Sequence, residues 1–262
     1  MSVYGISHFQ IEPMTDAKEP NSWPYPSHRP PIDISLVVLP EHTCSYFSDR
    51  ISQSRAFLVS GIHPELYHKY MDANFRRSGQ LIYQPICHTC RECKQIRVIT
   101  NEFSMSKSQR RCHNRNSDLS YVIGEPAASQ EKYELYSRYQ TQWHHKAEEE
   151  NDYDGFVSFL YRSPVQTIEY CYRDKSGKLV AVGICDVCDQ SLSSVYFYYD
   201  PAEAKRALGV YSAIVEIAHA RDLGIPYYYM GYWIKDCKTM DYKIHYGPSE
   251  VLEPDGRWVR QK

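Results

Sequence analysis

No stretch of this sequence approaches the roughly 18 consecutive apolar residues that a membrane-spanning helix requires. The N-terminus lacks the basic-then-apolar pattern of a secretory leader. Both absences predict a cytoplasmic protein with no membrane partner. An even, regularly spaced cysteine framework is missing too: the nine cysteines are an odd number and are not laid out like the bridges of a small secreted domain. Charge of one sign is also lacking. Thirty Lys and Arg stand against 32 Asp and Glu, a net charge of -2, so a nucleic-acid partner has to be held by a local basic patch. No internal repeat is present.

What is present is a chain of 262 residues, 42% hydrophobic and 24% charged, the composition of a soluble globular protein. That length accommodates one large domain or two small ones. Tyrosine is the unusual residue, with 24 copies. Tyr buries well while keeping a polar tip, which predicts a core and cleft lined with half-buried aromatics.

Three regions follow from the pattern. Residues 1–33 are rich in proline (Pro13, Pro20, Pro24, Pro26, Pro30, Pro31) and read as an extension, extended or disordered until something binds it. Residues 34–126 begin with a short apolar run, Ile34 to Leu39, that reads as a strand ended by Pro40. This region carries a cysteine run and most of the clustered arginines. Residues 127–262 have a clearer rhythm. Ser129 is placed to cap a helix bearing Tyr133, Tyr136, Tyr139, Gln140 and Trp143. Strand-forming runs follow at Thr167–Tyr172, Leu179–Val187 and Ser194–Tyr199, with Asp174-Lys175-Ser176-Gly177 as a turn between the first two. Asp200-Pro201 opens a helix whose apolar face is Leu208, Tyr211, Ile214, Val215, Ala218 and Leu223, stopped by Gly224 and Pro226. A last strand runs from Tyr227 to Met230. The expected class is α/β (α+β), with an acetyltransferase-like C-terminal core behind a cysteine-containing N-terminal region. Many α+β folds share that order, so it does not by itself name a function.

Cys87, Cys90 and Cys93 recur every third residue in "CHTCREC", a spacing at which thiolates on a turn converge on zinc or an iron–sulfur cluster. Cys44 is the natural fourth ligand, His88 the substitute, and buried free thiols the alternative reading. Cys112, Cys171, Cys185, Cys188 and Cys237 read as small core residues. Cys185 and Cys188 fall in an expected strand, where they point apart. Arginines cluster at Arg76-Arg77 and again with Lys107, Arg110, Arg111 and Arg115. Lys107, Arg111 and Arg115 are spaced four apart and share one helix face, a cationic stripe suited to phosphates or carboxylates. A solvated surface helix has the same pattern. The segment "GYWIKDCKTMDYKIHYGP" interleaves Tyr232, Trp233, Tyr242 and Tyr246 with Lys235, Lys238 and Lys243. Aromatics that stack on bases, beside ammonium groups that meet phosphates, suit a single-stranded RNA end; packing of those rings on the core is the alternative. Arg206-Ala207-Leu208-Gly209-Val210-Tyr211 is close to the R-x-x-G-x-G/A loop that cradles coenzyme A pyrophosphate. Tyr211 stands where that loop needs a small residue.

The segments "CSYF", "FRRSGQLIYQPICHTCRECKQIRV", "SKSQRRCHNRNSDL", "SSVYFYYDP", "LGVYSAI" and "YYYMGYWIKDCKTMDYK" resemble, in order, the signatures of the arginyl- and leucyl-tRNA–protein transferase family. The resemblance runs from about residue 35 to 250. Chain length and the cysteine run resemble the bacterial branch, which implies transfer of leucine from charged tRNA to N-terminal Asp or Glu, marking the protein for N-degron degradation. Eukaryotic relatives transfer arginine to the same acceptors. The resemblance also implies an acetyltransferase-type C-terminal half. An iron–sulfur cluster on N-terminal cysteines is implied by the eukaryotic relatives, some of which carry a cysteine pair where this chain has Cys44 alone.

The implied reaction is aminolysis of an ester, needing neither ATP nor coenzyme A because the donor is already activated. The protein must align two ends, take a proton and stabilise an oxyanion. Glu169 and Asp200, bordering expected strands, are candidate bases, with Tyr232 or Tyr242 as hydrogen-bond donor. Both carboxylates read equally as structural groups. Arg76, Arg77 or Arg97 is expected to bind the acceptor's acidic side chain. The tRNA contacts fall to Lys107, Arg110, Arg111, Arg115, Trp233, Lys235, Lys238 and Lys243. The rivals are a coenzyme A-dependent N-acetyltransferase and a non-catalytic cysteine-cluster RNA-binding module.

Overall fold

A computed structural model describes residues 28–147 and 151–261. The extension expected over 1–33 therefore lies outside the described residues as far as position 27. Its end is packed: His28 is buried, with its ring hydrogen-bonded to the Glu253 carbonyl at 3.0 Å.

The chain opens with three two-residue strands, β1 (Val37–Val38), β2 (His42–Thr43) and β3 (Ile51–Ser52), then β4 (Ser54–Leu58). Helix α1 (Pro64–Asp72) leads to β5 (Arg76–Ser78), β6 (Leu81–Pro85) and β7 (Lys94–Ile99). Next come α2 (Lys107–Arg115), β8 (Ser120–Gly124), α3 (Gln130–Gln142) and the single turn α4 (Tyr153–Phe156). The meander β9 (Thr167–Arg173), β10 (Leu179–Cys188) and β11 (Ser191–Tyr199) precedes α5 (Leu208–Asp222). The last strands are β12 (Tyr227–Trp233), β13 (Ser249–Leu252) and β14 (Trp258–Gln261). The class is α/β, and α3, β9–β11, α5 and β12 follow the order expected of the C-terminal half.

Local chemistry explains the boundaries. Ser129 caps α3 by accepting from the Lys132 N–H, and Ser106 forms a reciprocal capping box with Gln109 at the start of α2. Each cap satisfies an amide that the helix itself leaves unbonded. Gly224 ends α5 at φ +72°, the left-handed conformation that glycine adopts at no steric cost. The helix expected from Pro201 is broken, however. Residues 201–206 form a 3-10 turn, Ala207 takes φ 55°, and the α-helix starts only at Leu208. Its burial also differs from a single stripe: residues 211–217 are buried all round, while Leu223 is exposed. The run Ile34 to Leu39 gives only the two exposed residues of β1, an edge strand pairing with β4.

Two main sheets result, β1-β4-β6-β5 and β14-β13-β7-β12-β11-β10-β9-β8. The larger sheet crosses the boundary expected at residue 126. Strand β7 lies between β12 and β13, and β8 flanks β9. Ile96 and Val98 of β7 are fully buried, and the main-chain groups of a central strand need a partner on both sides. Residues 34–126 consequently share their hydrogen bonding with the C-terminal strands. Tyrosine supplies much of the core: Tyr67, Tyr70, Tyr170, Tyr172, Tyr198, Tyr228 and Tyr229 are all under 2% exposed.

Candidate active site

All neighbours in the large sheet are antiparallel except β11 and β12, which pair in parallel only from Ser191–Tyr227 to Ser193–Tyr229. Just beyond, both strands bulge. Val195 is an extra residue of β11 between the partners of Ile184 and Cys185. Met230 and Gly231 of β12 together oppose the single residue Ile96. A bulge bends its strand and sharpens its twist, so two bulges at one level drive β11 and β12 apart. The gap is a cavity of about 570 Å³, walled by Ser194–Phe197 and Tyr199 of β11, Met230–Tyr232 of β12 and the start of α5.

Arg76 closes the base of this fork. It leaves β5, donates through Nη1 to Ser193 Oγ at 2.7 Å and through Nη2 to the Ser194 carbonyl. Gly231, at φ +79°, sits where a β-carbon would stand 3.5 Å from the guanidinium carbon. Arg76 is 6% exposed and has no carboxylate within ion-pair distance among the described residues. A buried cation without a counter-ion is costly, and here it faces an open cavity.

Besides the arginines, a carboxylate and a lysine line the same space. Glu216 of α5 is buried; it accepts from Ser212 Oγ and from Tyr228 Oη, each at 2.5 Å. Burial pushes its carboxyl up, toward the neutral form, against the opposing hydrogen bonds. Gly183 makes the room, since a β-carbon there would stand 2.8 Å from Glu216 Oε1. Lys243, in the 3-10 turn Asp241–His245, is buried and donates from Nζ to the Tyr232 carbonyl at 2.8 Å. Burial first, and then the Arg76 charge, lower its ammonium to about 7. Among the residues that line this cavity, Glu216 is the one carboxylate.

The other expected site residues fall in different places. Arg77 also borders the cavity but is spent on Asp186, with Nε and Nη2 each 2.6 Å from a carboxylate oxygen. Arg97 pairs with Glu250 at 2.8 Å and Asp72 at 3.3 Å, between the rings of Tyr227 and Trp258. It is away from the cavity and structural. Neither carboxylate expected as a base lines the cavity. Glu169 is buried in an ion pair with Lys132, and Asp200 caps the 201–206 turn while paired with Lys178 at 2.7 Å. Of the two expected hydroxyl donors, Tyr232 lines the cavity wall with its Oη given to the Asn74 carbonyl at 3.0 Å, and Tyr242 stands at the rim, 46% exposed.

The cationic helix face is real. Lys107, Arg110, Arg111 and Arg115 are exposed on α2, whose opposite side buries Gln109 and Cys112. Gln109 donates to the His245 carbonyl at 3.3 Å, which ties α2 to the segment carrying exposed Lys235 and Lys238. Trp233 is partly buried against the core, with its indole N–H held by Asp241. Lys243 is buried rather than on this surface. Tyr211 likewise departs from expectation. Its ring packs on Tyr172 and His113 and does not line the cavity, so no ring closes the loop that resembles a coenzyme A cradle.

Cys44, Cys87, Cys90 and Cys93 line one second cavity of about 410 Å³, which shares Ser45, Tyr46, Tyr83 and Tyr232 with the first. The Arg50 guanidinium donates to Cys90 Sγ at 3.3 Å, and the Tyr46 N–H to Cys44 Sγ at 3.4 Å. The donor set suits a soft metal, although among the described residues no three metal-binding side chains stand close enough together to hold one. Cys185 and Cys188 point into different core clusters, as strand alternation requires.

Residues 42–111 match the family described as arginine-tRNA-protein transferase, N terminus, and residues 131–253 match its C terminus. The aspartate/glutamate leucyltransferase of Hahella chejuensis is 38% identical over 223 residues, covering 84% of this chain and 94% of that protein. The aspartate/glutamate leucyltransferase of Acinetobacter baumannii (strain ATCC 17978) is 36% identical over 232 residues, 87% of this chain and 84% of that one. Among solved structures, L-PGS from Bacillus licheniformis aligns with a TM-score of 0.39 and 14% identity over 71% of this chain and 55% of its own, too loose a likeness to bear on function. With both parts matched in order and identity sustained across most of each relative, this chain belongs to the arginine-tRNA-protein transferase family and is an aminoacyltransferase.

Proposed function

We propose that this enzyme transfers leucine from leucyl-tRNA to the N-terminal amine of proteins that begin with Asp or Glu, in the cytoplasm, and so marks them for degradation. The observation that carries the reading is the charge inventory of the cavity. Arg76 is a buried cation with no carboxylate partner among the described residues, the group that an acidic acceptor side chain needs. Glu216, the one carboxylate lining the wall, is engaged by two hydroxyls and pushed toward its neutral form. With both oxygens already committed to hydroxyls and its charged form disfavoured by burial, it is a poor counter-ion for an arginyl guanidinium. Apolar walls from Val195, Leu208, Ala213 and Met230 suit a leucyl side chain instead. The relatives named aspartate/glutamate leucyltransferase support the same choice.

In the reaction a neutral α-amine attacks the aminoacyl carbonyl and the terminal ribose oxygen leaves. The α2 face and Lys235 and Lys238 are placed to meet the phosphates of the incoming tRNA, with Tyr242 at the rim for its terminal base. The test uses purified protein, leucyl-tRNA, arginyl-tRNA and acetyl-CoA as donors, and peptides beginning with Asp, Glu or Ala. Labelled leucine on the Asp and Glu peptides alone is expected. Arginine transferred at an equal rate overturns the donor assignment, and acetylation overturns the function.

The cysteine quartet is part of the same reading. Cys44, Cys87, Cys90 and Cys93 would hold zinc or an iron–sulfur cluster, tying the β2–β3 hairpin to the segment that joins β6 to β7. Metal analysis and an absorption spectrum of anaerobically purified protein test this. Neither zinc nor iron above trace, with Cys87→Ser as stable as the parent, removes the site.

A further inference from the structure

Glu169 and Asp200 are committed to other partners, which leaves the reaction without the base it needs. Three groups lining the cavity can exchange a proton: Glu216, whose two oxygens are already engaged by Ser212 and Tyr228; His144, which burial lowers to about 4, too weak to take a proton from an amine; and Lys243. Lys243 is carried into the wall by the turn Asp241–His245, and its Nζ has one hydrogen-bond partner among the described residues, the Tyr232 carbonyl at 2.8 Å. An ammonium presents three donors and a neutral amine two. A buried cation with a single acceptor is poorly satisfied, whereas a neutral amine making that bond keeps its lone pair free. Arg76, on the same wall, disfavours a second positive charge.

We propose that Lys243 is the general base and acid of the transfer, an inference that rests on the function proposed above. Arg76 holds the acceptor's side-chain carboxylate and so brings the acceptor's α-amine into the cavity beside Nζ. The α-amine nitrogen bonds to the ester carbonyl carbon, whose π electrons move to oxygen. Lys243 Nζ takes one proton from the attacking nitrogen and becomes an ammonium. The oxyanion collapses, the bond from carbon to the ribose oxygen breaks, and Nζ returns the proton to that oxygen. Amide and free hydroxyl result, and Lys243 ends neutral, with no co-reactant consumed. The charged or titratable groups whose fields reach Nζ are Arg76 from β5, Cys237 from the loop after β12 and Cys93 ahead of β7, and its one hydrogen bond goes to the Tyr232 carbonyl of β12. None of them is a carboxylate that would hold the ammonium form.

The test is single-turnover leucine transfer by the full chain from leucyl-tRNA to an Asp-initiated peptide, measured against pH for the parent, Lys243→Met and Lys243→Arg. The parent's rate is expected to rise through a limb near pH 7, the ammonium's lowered value. The acceptor's own α-amine titrates near 8, and a second peptide with a different amine pKa moves that limb alone. Both variants are expected to lose roughly 100-fold or more in kcat, to keep the acceptor's KM within about threefold, and to lose the limb near pH 7. A role in folding alone would lower the rate evenly at every pH. A Lys243→Met enzyme within about threefold of the parent, or one that keeps the limb, overturns the assignment. If both variants fail to fold, the Lys243 side-chain NMR signal of the parent decides: titration near 7 supports the role, and titration near 10 overturns it. A parent that moves no leucine at any pH overturns the proposed function and this role together. Transfer that survives in Lys243→Met overturns this role alone.

Discussion

Arg76, Arg77 and Arg97 are equivalent in composition and separable only by their partners. Arg77 has Asp186, Arg97 has Glu250 and Asp72, and Arg76 has two serines of β11. Removing one partner of a buried, hydrogen-bonded charge pair costs about 2–5 kcal/mol. Arg76→Met is therefore expected to lower kcat/KM for Asp-initiated peptides by roughly 30-fold or more, with tRNA binding unchanged and Asp no longer preferred over Ala. Arg77→Met should instead lower the melting temperature, since it strands Asp186 without its cation. Lys243 makes a second prediction at this scale. Its folded-state pKa lies below the unfolded value, so between about pH 7 and 10.5 the unfolded chain binds the extra proton. Its burial therefore costs stability, fully so below pH 7, and the cost fades as pH rises through that window, at a slope of about 1.4 kcal/mol per pH unit for one proton. Urea titrations of Lys243→Met should show that slope removed and higher stability at pH 7.

Among the elements, the paired bulges of β11 and β12 make the site. Gly231 is needed there because its φ of +79° is strained for any residue with a β-carbon. Gly231→Ala should cost on the order of 1–3 kcal/mol, straighten β12 and shift Arg76, so acceptor recognition and stability fall together in peptide kinetics and thermal melts. Helix α2 acts at the surface. Arg111→Ala should weaken tRNA binding alike for every sequence and reduce the salt slope by about one counterion, with acceptor KM unaltered. An acceptor KM that rises while tRNA affinity holds would assign the stripe to the peptide instead.

For the whole molecule, the shared sheet decides what can fold alone. Strand β7 is hydrogen-bonded to β12 on one side and β13 on the other, so removing the N-terminal part leaves two facing edges unpaired and Tyr228 and Val251 uncovered. A fragment of residues 127–261 is expected to be unfolded or aggregated by circular dichroism and gel filtration, although it contains the whole stretch, 131–253, that matches the family's C terminus. A cooperatively melting monomeric fragment would contradict this.

Helix caps, turn residues and apolar runs are local, and so α3, β9 to β12 and the stop of α5 were legible from Ser129, Asp174, Gly177, Gly224 and Pro226. The cationic face of α2 was legible for the same reason, as was the family, since its signature segments are continuous in the chain. Pairing is not local. Nothing in the runs at 94–99 or 120–124 says that they join the C-terminal strands, because an apolar strand can satisfy its main chain against any neighbour. Nothing local marks the bulges either, since they are defined by the strand opposite. The fate of each ionisable group depended on what stood across from it: an acceptable base by sequence, Glu169 met Lys132, while Lys243, one cation among several in a lysine-rich segment, was carried into the cavity beside Arg76. A residue's type and local element are set by its near neighbours in the chain. Its charge state and its role are set by contacts that only the tertiary structure brings together.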